Sequence, residues 1–262
     1  MNVQRLLGYA LPALVAVLAL GFWEWAVGYF QIQPFVLPAP SAIAQTFITE
    51  WVSLADSALV TLTITVEAFL WALVLGFLLA VIFAQSETIE RAFLPYAVTL
   101  QTTPIVAIAP LILIWVGADH ADRAVLILAI IVAFFPILAN TTLGLRSADP
   151  QLKELFQLYG ATRLQRLLRL QIPTALPYLL AGMKISGGLA LIGAVVAEFV
   201  AGSGTSTGLA WRIIEASNRL QIAKMFAALA LLSAMGIGIY SLLSLLEWWL
   251  LHRWHETARA KD

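Results

Sequence analysis

Residues 149–177 read DPQLKELFQLYGATRLQRLLRLQIPTALP. Asp149-Pro150 is a helix start, a capping acid followed by proline at the first helical position. Leu152, Leu155, Phe156 and Tyr159 then recur at helical spacing and give one apolar face. Gly160 interrupts it. A second short helix is expected to follow, with Leu164, Leu167 and Leu168 on one face and Arg163, Arg166 and Arg169 elsewhere. Pro173 is expected to stop it, and Pro177 marks the start of the next apolar run. Two short amphipathic helices therefore meet at a glycine within 149–170. Neither is long enough to cross a bilayer, so both must rest on something. The support is either an inner lipid face, with the arginines meeting anionic headgroups, or the groove of a partner protein.

The rest of the chain is apolar. Hydrophobic residues make up 61% and charged residues 11%, against about 25% charged in an ordinary soluble domain. Most of the surface therefore does not face water. Formal net charge is zero, so no bulk field points to nucleic acid. The sequence has no cysteine, which excludes disulfides, iron–sulfur clusters and thiol nucleophiles. Its three histidines, His120, His252 and His255, do not suffice for an ordinary metal site.

A helix needs about 20 apolar residues to span a bilayer. Six stretches qualify, at about 6–30, 58–84, 92–117, 124–145, 175–200 and 225–251. They predict an all-α membrane protein, a single domain over 1–262, with the two-helix segment between spans four and five. The first run carries Phe22, Trp23 and Trp25 and outlasts a usual signal-peptide core, so it is read as a retained helix. Basic residues orient the set. With both termini inside, ten lie in the cytoplasm (Arg5, Arg91, Arg146, Lys153, Arg163, Arg166, Arg169, Arg253, Arg259, Lys261) and four outside (Arg123, Arg212, Arg219, Lys224). Trp248, Trp249 and Trp254 then form an inner-interface anchor.

The segment 154–177 resembles the "EAA" signature of ABC-importer permease subunits. That pattern places glutamate six residues before a glycine and proline thirteen after it, as Glu154, Gly160 and Pro173 stand here. The two alanines are replaced by Leu155 and Phe156, which makes the docking face bulkier. Val36-Leu37-Pro38-Ala39-Pro40-Ser41, Gln101 to Pro104, Ala109 to Gly117, Val196-Ala197-Glu198 and Gly202 to Leu209 resemble the nitrate, sulfonate, taurine, thiamine-precursor and riboflavin group of that family. The resemblance implies the partner-groove alternative for the two helices. Glu154, Leu155, Phe156, Tyr159, Gly160, Ala161, Arg163, Leu164 and Pro173 would couple to cytoplasmic ATPase subunits. It further implies a homodimer of permeases in the inner membrane and an extracytoplasmic solute-binding protein. The chain would bind no cofactor, ATP being used by the partner. Gly202 to Gly208 is glycine-rich but lacks the lysine of a phosphate loop, and no catalytic set of side chains is evident, so no enzyme activity is expected.

Charges inside a bilayer usually face a bundle interior or a wet cavity. Glu67, Lys184 and Glu198 are the candidates, read either as a translocation pathway or as a packing ion pair such as Lys184 with Glu67. Glu198 is expected to be half-solvated and Glu247 to reach water near the inner interface. Gln101, Thr102 and Thr103, followed by Pro104 and Pro110, which are expected to bend span three, suit a pathway or a packing kink. Asn140, Thr141 and Thr142 are expected to bond between helices. Gly182, Gly187, Gly188 and Gly193 are expected to form one close-packing face. Leu209 to Asn218 would re-enter the membrane or cap the pathway. With one basic residue against several acids in the spans, a vitamin or vitamin precursor is favoured over a sulfonate, taurine or nitrate. A proton-coupled secondary transporter using Glu67 or Glu198 is the alternative of another class, but no internal repeat supports it.

Overall fold

The computed structural model describes residues 3–201 and 207–252. The glycine-rich stretch 202–206 and the expected positions Arg253, Trp254, His255, Arg259 and Lys261 lie outside them. Among the described residues every regular element is helical: α1 (Val3–Tyr29), α2 (Pro40–Thr49), α3 (Trp51–Gln85), α4 (Glu87–Thr102), α5 (Ile105–Val116), α6 (Ala121–Arg146), α7 (Pro150–Leu158), α8 (Arg163–Arg166), α9 (Ile172–Ala201), α10 (Leu209–Asn218) and α11 (Ile222–Leu251). A π turn, Leu167–Gln171, joins α8 to α9. Among the described residues, five stretches are long and apolar enough to cross a bilayer: Leu11–Tyr29, α3, α6, Arg163–Val200 and α11.

The expected third span is not one rod. α4 and α5 meet at 101°. Pro104 has no N–H to donate and disfavours helical backbone in the residue before it, and Thr103 is extended, with φ −72° and ψ 126°. The Thr102 and Thr103 hydroxyls donate to the carbonyls of Val98 (3.0 Å) and Thr99 (2.7 Å), occupying acceptors near the break. Pro110, by contrast, lies inside α5, which continues through it.

α3, α6 and α9 form the core. Ala68 and Ala72 of α3, Ala129, Ala133 and Ile137 of α6, and Ala190 and Ala194 of α9 are fully buried together. Small side chains let the helix axes approach closely, which is how helices gain packing energy in an apolar solvent. A Cβ on Gly182 would lie 2.9 Å from the Pro136 carbonyl, and one on Gly193 3.0 Å from the Ala129 Cα. The α9 glycines do not share one face, however. Gly187 packs on Leu243 and Ile239 of α11, whereas a Cβ on Gly188 would meet no other element within 4 Å. Two residues of the polar patch of α6 bond to their own helix: Asn140 Nδ2 donates to the Pro136 carbonyl and Thr142 Oγ1 to that of Leu138, while the buried Thr141 hydroxyl has no partner among the described residues. In a bilayer a helix carbonyl four residues back is the nearest acceptor for a short polar side chain, and it displaces the expected interhelical bond.

Most described side chains of α1 are exposed. The helix is held at its end, where Trp23 meets Phe226 of α11 (centroids 5.7 Å) and Glu24 accepts from the Ser41 amide and hydroxyl. Helix order sorts the described basic residues onto opposite ends of the bundle. Arg91, Arg146, Lys153, Arg163, Arg166 and Arg169 gather at the α7 end, and Arg123, Arg212, Arg219 and Lys224 at the α10 end.

Candidate functional site

The α7–α8 segment is closed by local bonds at every junction. The Asp149 carboxylate accepts from the Gln151 amide (2.8 Å), with Pro150 in the first turn. At the other end the Gly160 amide donates to the Gln157 carbonyl (3.0 Å) and the Ala161 amide to that of Phe156 (2.9 Å). This double bond pattern requires a left-handed residue at Gly160, whose φ is +68°. Thr162 and Gln165 then form a reciprocal capping box that starts α8.

The result is an angle between two short helices, with the apolar side chains left open. Leu155, Phe156, Tyr159 and Ala161 line a hollow of about 320 Å³ with Gln165 and Arg169. Tyr159 is 83% exposed, and Leu164 62%. Glu154 and Arg163 are exposed, and Glu154 borders a second hollow with Gln157 and Leu158.

Pro173 does not stop the second helix. Helical structure runs unbroken from Arg163 to Val200, about 57 Å at 1.5 Å per residue. The π turn explains how. The Ile172 amide donates to the Leu167 carbonyl, five residues back. Bonding therefore leaves the ordinary ladder one residue before the proline, whose missing N–H and bulky ring would otherwise disturb it. At this turn the Gln171 side chain is buried. Its Nε2 donates to the Leu145 carbonyl at the end of α6 (3.3 Å), and its Oε1 accepts from Gln85 Nε2 at the end of α3 (3.0 Å). Arg146 pairs with Glu90 of α4 and donates to the Phe83 carbonyl of α3. Lys153 of α7 donates to the Arg146 carbonyl.

The polar groups of the spans fall into four separate places. Glu67 is exposed on α3 and shares a hollow of about 590 Å³ with Thr63, Asp122 and Arg123. Gln101, Thr102 and Thr103 stand at the α4–α5 elbow, with Gln101 and Thr102 exposed. Lys184 pairs with Glu247 at 2.5 Å, not with Glu67 or Glu198. Depth in the spans accounts for this. Lys184 and Glu247 both lie in the half of their helices toward the α7 end, whereas Glu67 stands at the middle of α3 and Glu198 near the α10 end of α9. Matching depth across the six runs would have found the pair from sequence.

Glu198 is fully buried rather than half-solvated. Its carboxylate accepts from the Thr61 hydroxyl (2.8 Å) and the Ala210 amide (3.1 Å), and Thr61 Oγ1 in turn accepts from the Leu209 amide (2.9 Å). Gly208 has no side chain to cap α10, so Glu198 and Thr61 satisfy its first amides from neighbouring helices. A Cβ on Gly208 would lie 2.3 Å from the Glu198 carboxyl. Beyond it, Glu215 of α10 is held below the usual carboxylate range, chiefly by the hydrogen bond from Arg212 and further by the charges of Arg219 and Lys224.

Residues 72–252 match the binding-protein-dependent transport system inner membrane component family. The chain belongs to that family. It is 35% identical to the riboflavin transport system permease protein RibX of Chloroflexus aurantiacus, over 97% of this chain and 94% of that one. It is 34% identical to the formylaminopyrimidine transport permease protein ThiX of Halalkalibacterium halodurans, over 90% of this chain and 92% of that one. The putative aliphatic sulfonates transport permease protein SsuC of Bacillus subtilis is 30% identical, over 92% and 84%. In fold it resembles a chain from the crystal structure of an amino acid ABC transporter with histidines, with TM-score 0.65, 18% identity, and coverage of 78% of this chain and 96% of that one. As a binding-protein-dependent permease it is a non-catalytic, multi-pass subunit of an ABC import system in the inner membrane. Such a system also comprises an ATPase and a substrate-binding protein.

Proposed function

We propose that this permease imports a vitamin or vitamin precursor, a neutral heterocycle of the riboflavin or aminopyrimidine kind, along a path beside Glu67. The observation that carries the path is Glu67 itself. An ionisable side chain exposed on a membrane-spanning helix does not face lipid without heavy cost, so this face of α3 borders water or a second subunit. Its hollow holds two acids, Glu67 and Asp122, against one base, Arg123. Acceptors in excess suit the N–H groups of a heterocycle and disfavour a sulfonate or nitrate. The names of two relatives at 34% and 35% identity support the same choice. An aliphatic sulfonate is the second reading, favoured by the name of the relative at 30%.

In this proposal α4 and α5 together make the third of six spans, with Gln101, Thr102 and Thr103 at its elbow bordering the path. Both termini and the α7 end lie in the cytoplasm, as the ten-to-four split of basic residues supports. Two copies of the chain pair, and each presents α7 and α8 to an ATPase subunit. Leu155, Phe156, Tyr159, Ala161 and Leu164 fill a groove of that subunit, with Glu154 and Arg163 at its rim and Pro173 at the foot of the rod. Closure of the ATPases then drives the bundle between two packings.

The test is a binding assay on the partner binding protein with riboflavin, formylaminopyrimidine and an aliphatic sulfonate. Tight retention of a heterocycle is expected. Retention of the sulfonate alone overturns the substrate and leaves the permease role intact.

A further inference from the structure

We infer that Gln171 is the positioning residue that makes the α7 end of α3 follow the α8–α9 rod. The inference rests on the coupling role proposed for α7 and α8. If those helices are pushed, the displacement has direct chain routes to two core helices. It reaches α9 through the unbroken helix from Arg163, and α6 through the short link 147–149 before α7. α3 has no such route, because its α7 end continues into α4 and lies far from 150–171 in the chain. It must be moved by contacts.

The side-chain hydrogen bond from the rod itself is Gln85 Nε2 donating to Gln171 Oε1; beside it, Ala80 and Phe83 of α3 share an apolar cluster with Ala175 of α9, a contact that can slide where a hydrogen bond fixes position. Gln171 is buried, and its remaining amide group is fixed by the Leu145 carbonyl. One side chain therefore bonds α9 to α3 and α6 at once. It sits on the last residue of the π turn, where the backbone has already left the ordinary ladder, a feature that recurs at functional positions in helices. Buried amide bonds of this kind fix register without placing a charge in the membrane boundary. A second tie to α3, from Arg146 to the Phe83 carbonyl, comes from α6 and not from the rod.

The experiment is hydrogen exchange on the permease–ATPase complex in lipid nanodiscs, with and without trapping by ATP and vanadate. It needs no transported solute. In the parent, trapping is expected to change exchange at 150–171 and, together with it, at 80–85 and 141–146. In Gln171→Leu the response at 150–171 and 141–146 persists, while exchange at 80–85 becomes about fivefold faster and insensitive to trapping. Gln85→Leu reproduces that pattern, and the double variant is no worse than either single one. Gln171→Glu keeps the acceptor for Gln85 and is expected to retain the response at 80–85, which a loss of general packing would not allow.

A trapped response at 80–85 in Gln171→Leu equal to the parent's overturns the inference, since Arg146 and the apolar packing of Ala80 and Phe83 then suffice. If Gln171→Leu loses the ATPase or its hydrolysis, the reading passes to the other two variants. In that case the pattern of Gln85→Leu and Gln171→Glu decides independently whether the tie transmits. A parent in which 150–171 does not respond at all removes the coupling role itself, an outcome distinct from failure of the tie.

Discussion

At its α7 end α9 is tied to its neighbours by neutral amides, whereas at its α10 end the tie is a fully buried carboxylate. Gln171 offers two ordinary hydrogen bonds beside open, exposed helices. Glu198 collects bonds from α3 and α10 in a space so tight that Gly208 admits no Cβ. Neutral bonds at a half-open site exchange partners at small cost, and a fully buried carboxyl group does not lose its partners cheaply. The same helix is thus adjustable where a motor would grip it and fixed where it carries the α10 cap.

The largest expected effect breaks the fixed end. Glu198→Ala leaves the Thr61 hydroxyl and the Ala210 amide without their acceptor and opens a cavity. The loss should be on the order of 3 kcal/mol, read as a lower unfolding temperature in detergent micelles. Gly208→Ala should act in the same direction by forcing the carboxylate aside. A Glu198→Ala protein that melts with the parent would mean that α10 is held by its apolar contacts alone.

Next in size is the Lys184–Glu247 pair between α9 and α11. Each partner is partly exposed, at 23% and 29%, so the cost of breaking it is set at about 1–2 kcal/mol. Lys184→Met or Glu247→Leu alone leaves one charge unpaired, and the double variant removes both. The double variant should therefore unfold at a higher temperature than either single one. Simple addition of the two losses would show that the charges do not depend on each other.

Why the ends differed in legibility follows from the same chemistry. α7, its cap at Asp149 and the turn at Gly160 are written in consecutive residues, because each bond there joins positions a few residues apart. The Leu155, Phe156 and Tyr159 face is likewise a matter of helical spacing. Glu198, Lys184 and Gln171 bond across gaps of 12 to 137 residues, and spacing along the chain does not fix such partners. Glu198 reads as a lone intramembrane acid until Gly208 is seen to lack a cap. Gln171 reads as one polar residue between leucine and isoleucine. Pro173 misled for a different reason, since a π turn keeps a helix going through a position where the ordinary ladder would stop.

Gly160→Val sharpens the comparison at the adjustable end. Valine in a left-handed conformation costs on the order of 1–2 kcal/mol, all of it local, because an added Cβ would meet nothing within 4 Å beyond its chain neighbours. The chain should insert and retain its ATPase, while solute moved per ATP hydrolysed falls. Normal uptake in that variant would remove Gly160 from the coupling role.

The smallest effect belongs to Glu215, which faces Arg212 and Arg219 at 2.9 and 3.0 Å. Its carboxyl titrates below the ordinary range in the folded chain, so the unfolded chain takes up the proton first as pH falls. Its contribution is therefore complete above about pH 4.3, the ordinary glutamate value, and disappears as pH drops through the lower folded value. Because the guanidinium of Arg219 is largely exposed, at 65%, salt screens part of the interaction, and the stabilisation stays below about 1 kcal/mol. Unfolding temperatures of the parent and Glu215→Gln should differ slightly at neutral pH and low salt, and converge in acid. A difference that grows in acid would reverse the sign of the argument and place the carboxylate in an environment that resists its charge.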